Sequence, residues 1–436
     1  MRPSRRQFLA TAAAAAAPLI LTRGASGESA PSSRINLACI GIRSMGNGNM
    51  NAAMSHSDCR VAAVCDVDEE YLERRRNEVN ARYENEDCKA FTDYHELLEM
   101  DGLDAVMIAT PDHWHAPIAI AAARKGLDIY CEKPITHTHA EGKKLVSVVE
   151  EEGVVWQTGS QQRSEYRFRR PVEIVRNGLL GDVQEAEVGL PSGNPFPPDP
   201  GDFDPPGHVD YDQWCGPSPV LPYHPGRFHG SWRWHYHYGG GQLQDWIGHH
   251  NDILHWMLDM DGSGPTEVEI AQFDQPQDQE VWNAAWRYEG FCRYPNGVRT
   301  RITNRARQGV TVYGTEGWLH VSRSGYAMSR PEWYDRDFDP GPEKVYESNN
   351  HWRNFLDCVK SREPAIAPAE AAHRATTPGH LMLIAAHLGQ RLVWEPDTEQ
   401  IIDNEEASKL LAQQGDVMPW MPWRTDWCED YLNEDA

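Results

Sequence analysis

Short, mostly apolar runs alternate with amphipathic stretches through the first third of the chain. Runs at 35–40, 60–65, 104–109, 127–130 and 154–158 are too short for helices and lack polar alternation, as strands buried on both faces do. Between them, a stretch ending near 55, a charged stretch at 69–83, an alanine-rich stretch before 127 and residues 140–152 carry helical spacing. Strand–helix alternation predicts an α/β unit, a doubly wound parallel sheet spanning 34–158. Beyond it the pattern changes. A helix at 169–177 and a strand at 183–190 precede a proline-rich loop at 191–230, long enough to be a lid or an oligomer contact. Runs at 266–272, 284–294, 298–304, 309–313 and 318–321 predict antiparallel strands, and 350–360 and 368–391 predict helices. The second domain is therefore expected at 159–395, with a tail at 396–436.

The first thirty residues follow another logic. Ser4-Arg5-Arg6-Gln7-Phe8-Leu9 precedes an alanine-rich stretch at 10–21 that is too short to span a bilayer. Paired arginines before Phe-Leu predict a twin-arginine signal peptide over 1–30, cut near 27–30, with export of the folded protein to the periplasm and no membrane anchor after processing. A net charge of −24 argues against nucleic acid or an anionic membrane as partner. Sixteen Trp and sixteen Tyr suit stacking on sugar rings. Nine cysteines without paired spacing indicate neither a disulfide framework nor a zinc ribbon, and Cys39, Cys65 and Cys131 read as core.

Three segments carry chemistry. Gly41 and Gly46 hold the first and third places of a dinucleotide fingerprint between a strand and a helix, where free helix amides face a pyrophosphate. The second place is Arg43, whose side chain either obstructs the cofactor or adds a charge-assisted contact to it. Asp66 ends the second strand where a carboxylate grips the ribose 2′-hydroxyl. Acidic rather than basic residues follow it, which favours NAD over NADP. Lys133, in Cys131-Glu132-Lys133-Pro134, stands at a strand's carboxyl end, where it can exchange a proton with a hydroxyl. In 239–258, Asp245, His249, Asp252 and Trp256 fall on one helical stripe, opposite Leu243, Ile247, Leu254 and Leu258. A carboxylate one turn from an imidazole orients it and makes it more basic. His235, His237, His249, His250 and His255 cluster in sequence, but no third ligand is fixed by spacing, so no metal is expected.

With Ala109-Thr110-Pro111 before His115, the Glu132-Lys133-Pro134 triplet, and Gly-Gly-Gly leading to Asp245, His249 and Asp252, residues 34–395 resemble the Gfo/Idh/MocA oxidoreductases. The resemblance implies a Rossmann domain followed by an α/β domain on an open, largely antiparallel sheet that often mediates homo-oligomer formation. It implies a catalytic group of Lys133, Asp245 and His249: His249 takes a proton from a sugar or cyclitol hydroxyl, Asp245 orients His249, and Lys133 holds the oxygen. Ser44, Met45, Asp66, Thr110, Pro111, Trp114, His115, Glu132 and Gln161 would line the cofactor site. Arg163, Trp234, His250 and Asp252 would lie on the substrate side. An exported enzyme keeps its nicotinamide and re-oxidises it in place, so a redox-neutral glycosidase or lyase stands beside simple dehydrogenation. A non-catalytic sugar- or nucleotide-binding protein is the third reading.

Overall fold

In the computed structural model, residues 34–276 and 281–412 are described, so the expected signal peptide and the end of the tail lie outside the described residues. Among the described residues no helix is long and apolar enough to cross a membrane. The apolar runs form a six-stranded parallel sheet: β1 (Ile35–Ile40), β2 (Cys59–Cys65), β3 (Lys89–Phe91), β4 (Ala105–Ile108), β5 (Asp128–Cys131) and β6 (Trp156–Thr158). Its order is β3-β2-β1-β4-β5-β6. The strand order reverses between β1 and β4, and a crevice opens at the carboxyl ends there. Leu37, Ala38, Cys39, Val106 and Met107 are completely buried, which is why these strands read as mostly apolar runs without alternation.

The second sheet has nine strands: β7 (Val183–Gly189), β8 (Glu267–Asp274), β9 (Arg287–Arg293), β10 (Arg299–Thr303), β11 (Gly309–Gly314), β12 (Trp318–Ser322), β13 (Gly325–Met328), β14 (Leu392–Glu395) and β15 (Gln400–Ile402). Every pair is antiparallel except β7 with β10. Helices Tyr166–Arg176, Gly241–Leu258 and Ala369–Leu388 lie against it and share one core with it.

Two expected boundaries change. Helix His351–Ser361 does not serve the second domain's core. Trp352, Phe355 and Leu356 pack into the first domain's core with Leu37 and Tyr130, and the Trp352 ring stacks 4.3 Å from that of Tyr130. The first domain is thus completed from the chain's far end. The tail is also shorter than expected, because β15 pairs with β14 and helix Glu405–Ala412 buries Ala407, Leu410 and Leu411 in the second core.

Candidate active site

The turn after β1 is built for close approach. Gly41 has φ +76°, and a Cβ there would stand 2.7 Å from the Thr110 amide nitrogen. A Cβ on Gly46 would stand 1.8 Å from the Gly41 carbonyl oxygen, so only glycine lets helix Ser44–Met54 seat against the turn. No side chain caps that helix, and its first amides remain donors for an anion. Asp66 is fixed beside them: its Oδ2 accepts the Ile42 N–H at 3.0 Å and its Oδ1 the Asp68 N–H at 3.0 Å. Each oxygen keeps a lone pair for a ribose hydroxyl. Burial pushes the Asp66 carboxyl up to about 6. These features fit a dinucleotide. The Arg43 guanidinium lies 5.0 Å from the Tyr71 ring centroid, on the helix that follows β2, which puts it on the adenosine side of the groove.

A cavity of about 470 Å³ runs from this turn to the helix Gly241–Leu258. At its far end Lys133 Nζ donates to Asp245 Oδ1 at 2.9 Å and to the Asp245 carbonyl at 3.0 Å. Both side chains are 11% exposed. Burial alone would raise the Asp245 carboxyl, but Lys133 and Arg233 outweigh it and hold it below the usual range. His249, one turn on, lines the same wall. Its Nδ1 is buried without a partner, and burial, followed by Lys133 and Arg323, keeps the imidazole well below its ordinary pKa and therefore neutral. His115 staples the turn that presents Lys133, with Nδ1 2.6 Å from the Pro134 carbonyl and Nε2 2.9 Å from that of Thr110.

The long proline-rich loop is the roof. Gln213, Trp214, Phe228 and His229 of this loop, with Trp232 and Arg233 just beyond it, line the cavity. Trp214, Cys215, Phe228, Trp232 and Tyr238 give the loop a small core of its own. It is tied down where β2 ends: the Glu69 N–H donates to the His208 carbonyl at 2.9 Å and the Asp210 N–H to that of Val67 at 3.1 Å. A larger cavity of about 860 Å³ lies beside this loop, around His224, Arg227, His235 and His237; its described lining carries no carboxylate or lysine.

Residues 35–160 match the NAD-binding Rossmann-fold model of the Gfo/Idh/MocA oxidoreductase family, and residues 202–422 match that family's C-terminal alpha/beta domain. The chain belongs to the Gfo/Idh/MocA family. Curated relatives include a myo-inositol 2-dehydrogenase of Thermotoga maritima, 26% identical over 38% of this chain and 47% of the relative. A glycosyl hydrolase family 109 protein of Stenotrophomonas maltophilia is 29% identical over 42% of this chain and 41% of the relative. The chain thus spans under half the length of either. Among solved structures, the WlbA dehydrogenase of Bordetella pertussis, in complex with NADH and UDP-GlcNAcA, aligns with TM-score 0.62 at 16% identity over 83% of this chain and 99% of that one. An aldose–aldose oxidoreductase of Caulobacter crescentus complexed with glycerol aligns with TM-score 0.60 at 17% identity, over 83% and 99%. At these identities the likeness concerns the fold.

Within this family member, Gly41, Arg43, Ser44, Met45, Asp66, Thr110, Pro111, Trp114, His115, Glu132, Lys133, Asp245 and His249 all line the one cavity. Gly46 supports it from behind, and Gln161 acts through Glu132, donating to its Oε1 at 3.0 Å beside Asn49 at 2.9 Å. The expected orientation of His249 by Asp245 is corrected. Asp245 is engaged by Lys133, and burial, with the neighbouring cations, makes His249 less basic instead of more. The polar stripe also divides. Asp252 forms a bidentate pair with Arg163 at 2.7–3.0 Å, Asp261 closes the guanidinium's other edge at 2.8 Å, and Trp256 lies against it. Arg163 and Asp252 are each 2% exposed and consume each other, so neither is free for a substrate. His250 Nδ1 faces the Gly189 carbonyl at 2.9 Å, and Trp234 packs near Trp282. Neither of them lines the cavity.

Sequence reasoning missed Asp112, Arg233 and Arg323. Asp112 sits inside the Thr110–His115 motif, 2% exposed in the cavity wall with Oδ2 unpartnered, and burial and Asp245 raise its carboxyl well above the ordinary range. Arg233 lies in the short 3-10 helix His229–Trp234 and Arg323 in a strand turn, where no extended periodicity marks a side chain's direction.

Proposed function

We propose that this protein is an NAD-dependent oxidoreductase that moves a hydride between a hydroxyl-bearing carbon of a sugar or cyclitol and a tightly held nicotinamide. The observation that carries the reading is the meeting of the glycine turn, Lys133 and an unpartnered, neutral His249 in one cavity. When bound, the cofactor supplies the hydride acceptor. The chain supplies the rest. Asp245 fixes the Lys133 ammonium through two of its three N–H donors, leaving the third for the substrate oxygen. The neutral His249 imidazole accepts the hydroxyl proton as the carbon is oxidised. The roof excludes water, and its hydrogen bonds to the start of helix Glu69–Tyr83 hold the adenosine side closed.

Asp66, followed by Asp68, Glu69 and Glu70, favours NAD over NADP at the ribose. Retention of the cofactor suits a protein exported folded to the periplasm by the twin-arginine route. The family 109 glycosyl hydrolase relatives favour a second reading, in which transient oxidation to a ketone drives cleavage of a glycoside with no net redox change. Denaturing the purified full chain and identifying the released dinucleotide tests the cofactor, and released NADP would overturn the assignment of Asp66. Nicotinamide absorbance on adding sugars then separates net dehydrogenation from aglycone release without absorbance change.

A further inference from the structure

The reacting end of the cavity gathers three cations in a chain that carries a net charge of −24. Its charged lining there is Asp112, Glu132, Lys133, Arg233, Asp245 and Arg323. Glu132 is already engaged by Asn49 and Gln161. Burial and Asp245 push the Asp112 carboxyl well above the ordinary range. Asp245 is shared between Lys133 at 2.9 Å and Arg233 Nε at 3.7 Å. Three cations thus share this end with three carboxyl groups, of which only Asp245 lies in ion-pair range of any of them.

Arg323 is the cation with no carboxylate in ion-pair range, although Glu165, Glu132 and Asp245 act on it from farther off. It follows β12 in the tight turn to β13, at the cavity mouth, and forms no ion pair with any described carboxylate. An exposed arginine at a turn is ordinarily mobile, but this one is held. Its guanidinium lies 4.9 Å from the Trp246 ring centroid, and its Nε donates to Gln162 Oε1 at 3.0 Å. Gln162 in turn donates to the His249 carbonyl at 3.2 Å, which ties Arg323 to the proposed base. With Nε engaged, the two terminal nitrogens form a planar, unpaired edge, the geometry that binds a carboxylate bidentately.

We propose that the substrate of this site is an acidic sugar, a uronic acid or its glycoside, whose carboxylate is received by Arg323. The inference rests on the oxidoreductase reading and narrows its substrate class. The bound carboxylate would also offset the cations around His249 and ease its acceptance of a proton.

The test uses the full chain loaded with NAD, and Trp246 beneath Arg323 reports occupancy by fluorescence. Methyl glucuronide and methyl galacturonide are titrated against the matching neutral methyl glycosides and a sulfated glycoside, with wild type, Arg323→Gln and Arg323→Lys. The uronides should bind roughly tenfold or more tightly than their neutral partners, as a charge-assisted bidentate contact provides. That ratio should fall towards one in Arg323→Gln and be partly kept in Arg323→Lys, while dinucleotide content and melting temperature show that each variant is folded. Neutral glycosides binding as well as uronides, no binding of any uronide, or an unchanged ratio in Arg323→Gln would each overturn the proposal. Preference for the sulfated glycoside over the uronides would overturn the carboxylate in favour of a sulfate. Neutral sugars oxidised without acid preference leave the oxidoreductase reading standing. Uronides that bind tightly yet never reduce nicotinamide leave acid recognition standing and refute oxidation.

Discussion

Lys133 and Asp245 lie 112 residues apart in sequence, and their pairing can be measured directly as a coupling energy. At 2.9 Å, an effective dielectric of about 20 gives a Coulomb attraction of roughly 6 kcal/mol. Desolvating two groups that are each 11% exposed cancels part of it. A net coupling of about 3 kcal/mol remains, in the range measured for close desolvated pairs. The perturbation is a double-mutant cycle of Lys133→Met and Asp245→Asn, read by urea unfolding at neutral pH and fixed dinucleotide concentration. Each single variant should lose about 3–5 kcal/mol, because it leaves one buried charge unpaired. The double variant should lose markedly less than the sum of the two. A coupling below about 1 kcal/mol, the level of a solvent-exposed pair, would refute the claim that this contact is buried and fixed in the folded protein.

Gly46→Ala should purify without dinucleotide, since its Cβ would stand 1.8 Å from the Gly41 carbonyl and push helix Ser44–Met54 off the turn; cofactor content after denaturation reads this out. Acid should unfold the protein early. Burial lowers His113, His115, His250, His255 and His351 to about 4 from 6.5, so as pH falls the unfolded chain binds protons first. Their contribution is complete above about pH 6.5 and shrinks towards pH 4, by about 2 kcal/mol per histidine at pH 5. A melting temperature that stays flat between about pH 7 and pH 5 would contradict it. Trp352→Ala should cost about 3–5 kcal/mol in urea unfolding, because its ring fills the first domain's core from the far end of the chain.

The parallel sheet was legible because strands buried on both faces leave mostly apolar runs without alternation, and helix Glu69–Tyr83 was legible to the residue because charge and capping bracket it. β3 was not legible. It is three residues long at the sheet's edge, with Lys89 exposed, so no apolar run marks it. β13, β14 and β15 share that brevity. Helix His351–Ser361 shows its amphipathic face in sequence, but nothing in a periodicity says which domain's core receives that face. Within the site, local spacing paired Asp245 with His249, whereas a lysine from β5's turn offers opposite charge and wins the carboxylate. The stripe read as one polar surface because helical spacing cannot show that Gly241–Leu258 is buried on nearly every side, with Arg163 serving one part and the cavity the other. Arg323 and the roof come from turns and an irregular loop, where side-chain direction has no sequence signature.

The central claim is that this cavity oxidises a sugar hydroxyl with His249 as proton acceptor. Mixing dinucleotide-loaded wild type and His249→Ala with a panel of neutral and acidic monosaccharides and cyclitols, while following nicotinamide absorbance through a single turnover, tests it most directly. Wild type should reduce its nicotinamide with at least one of them, and His249→Ala should do so about a hundredfold more slowly at undiminished dinucleotide content. Equal rates in the two proteins, or no reduced nicotinamide from any of the panel, would contradict it.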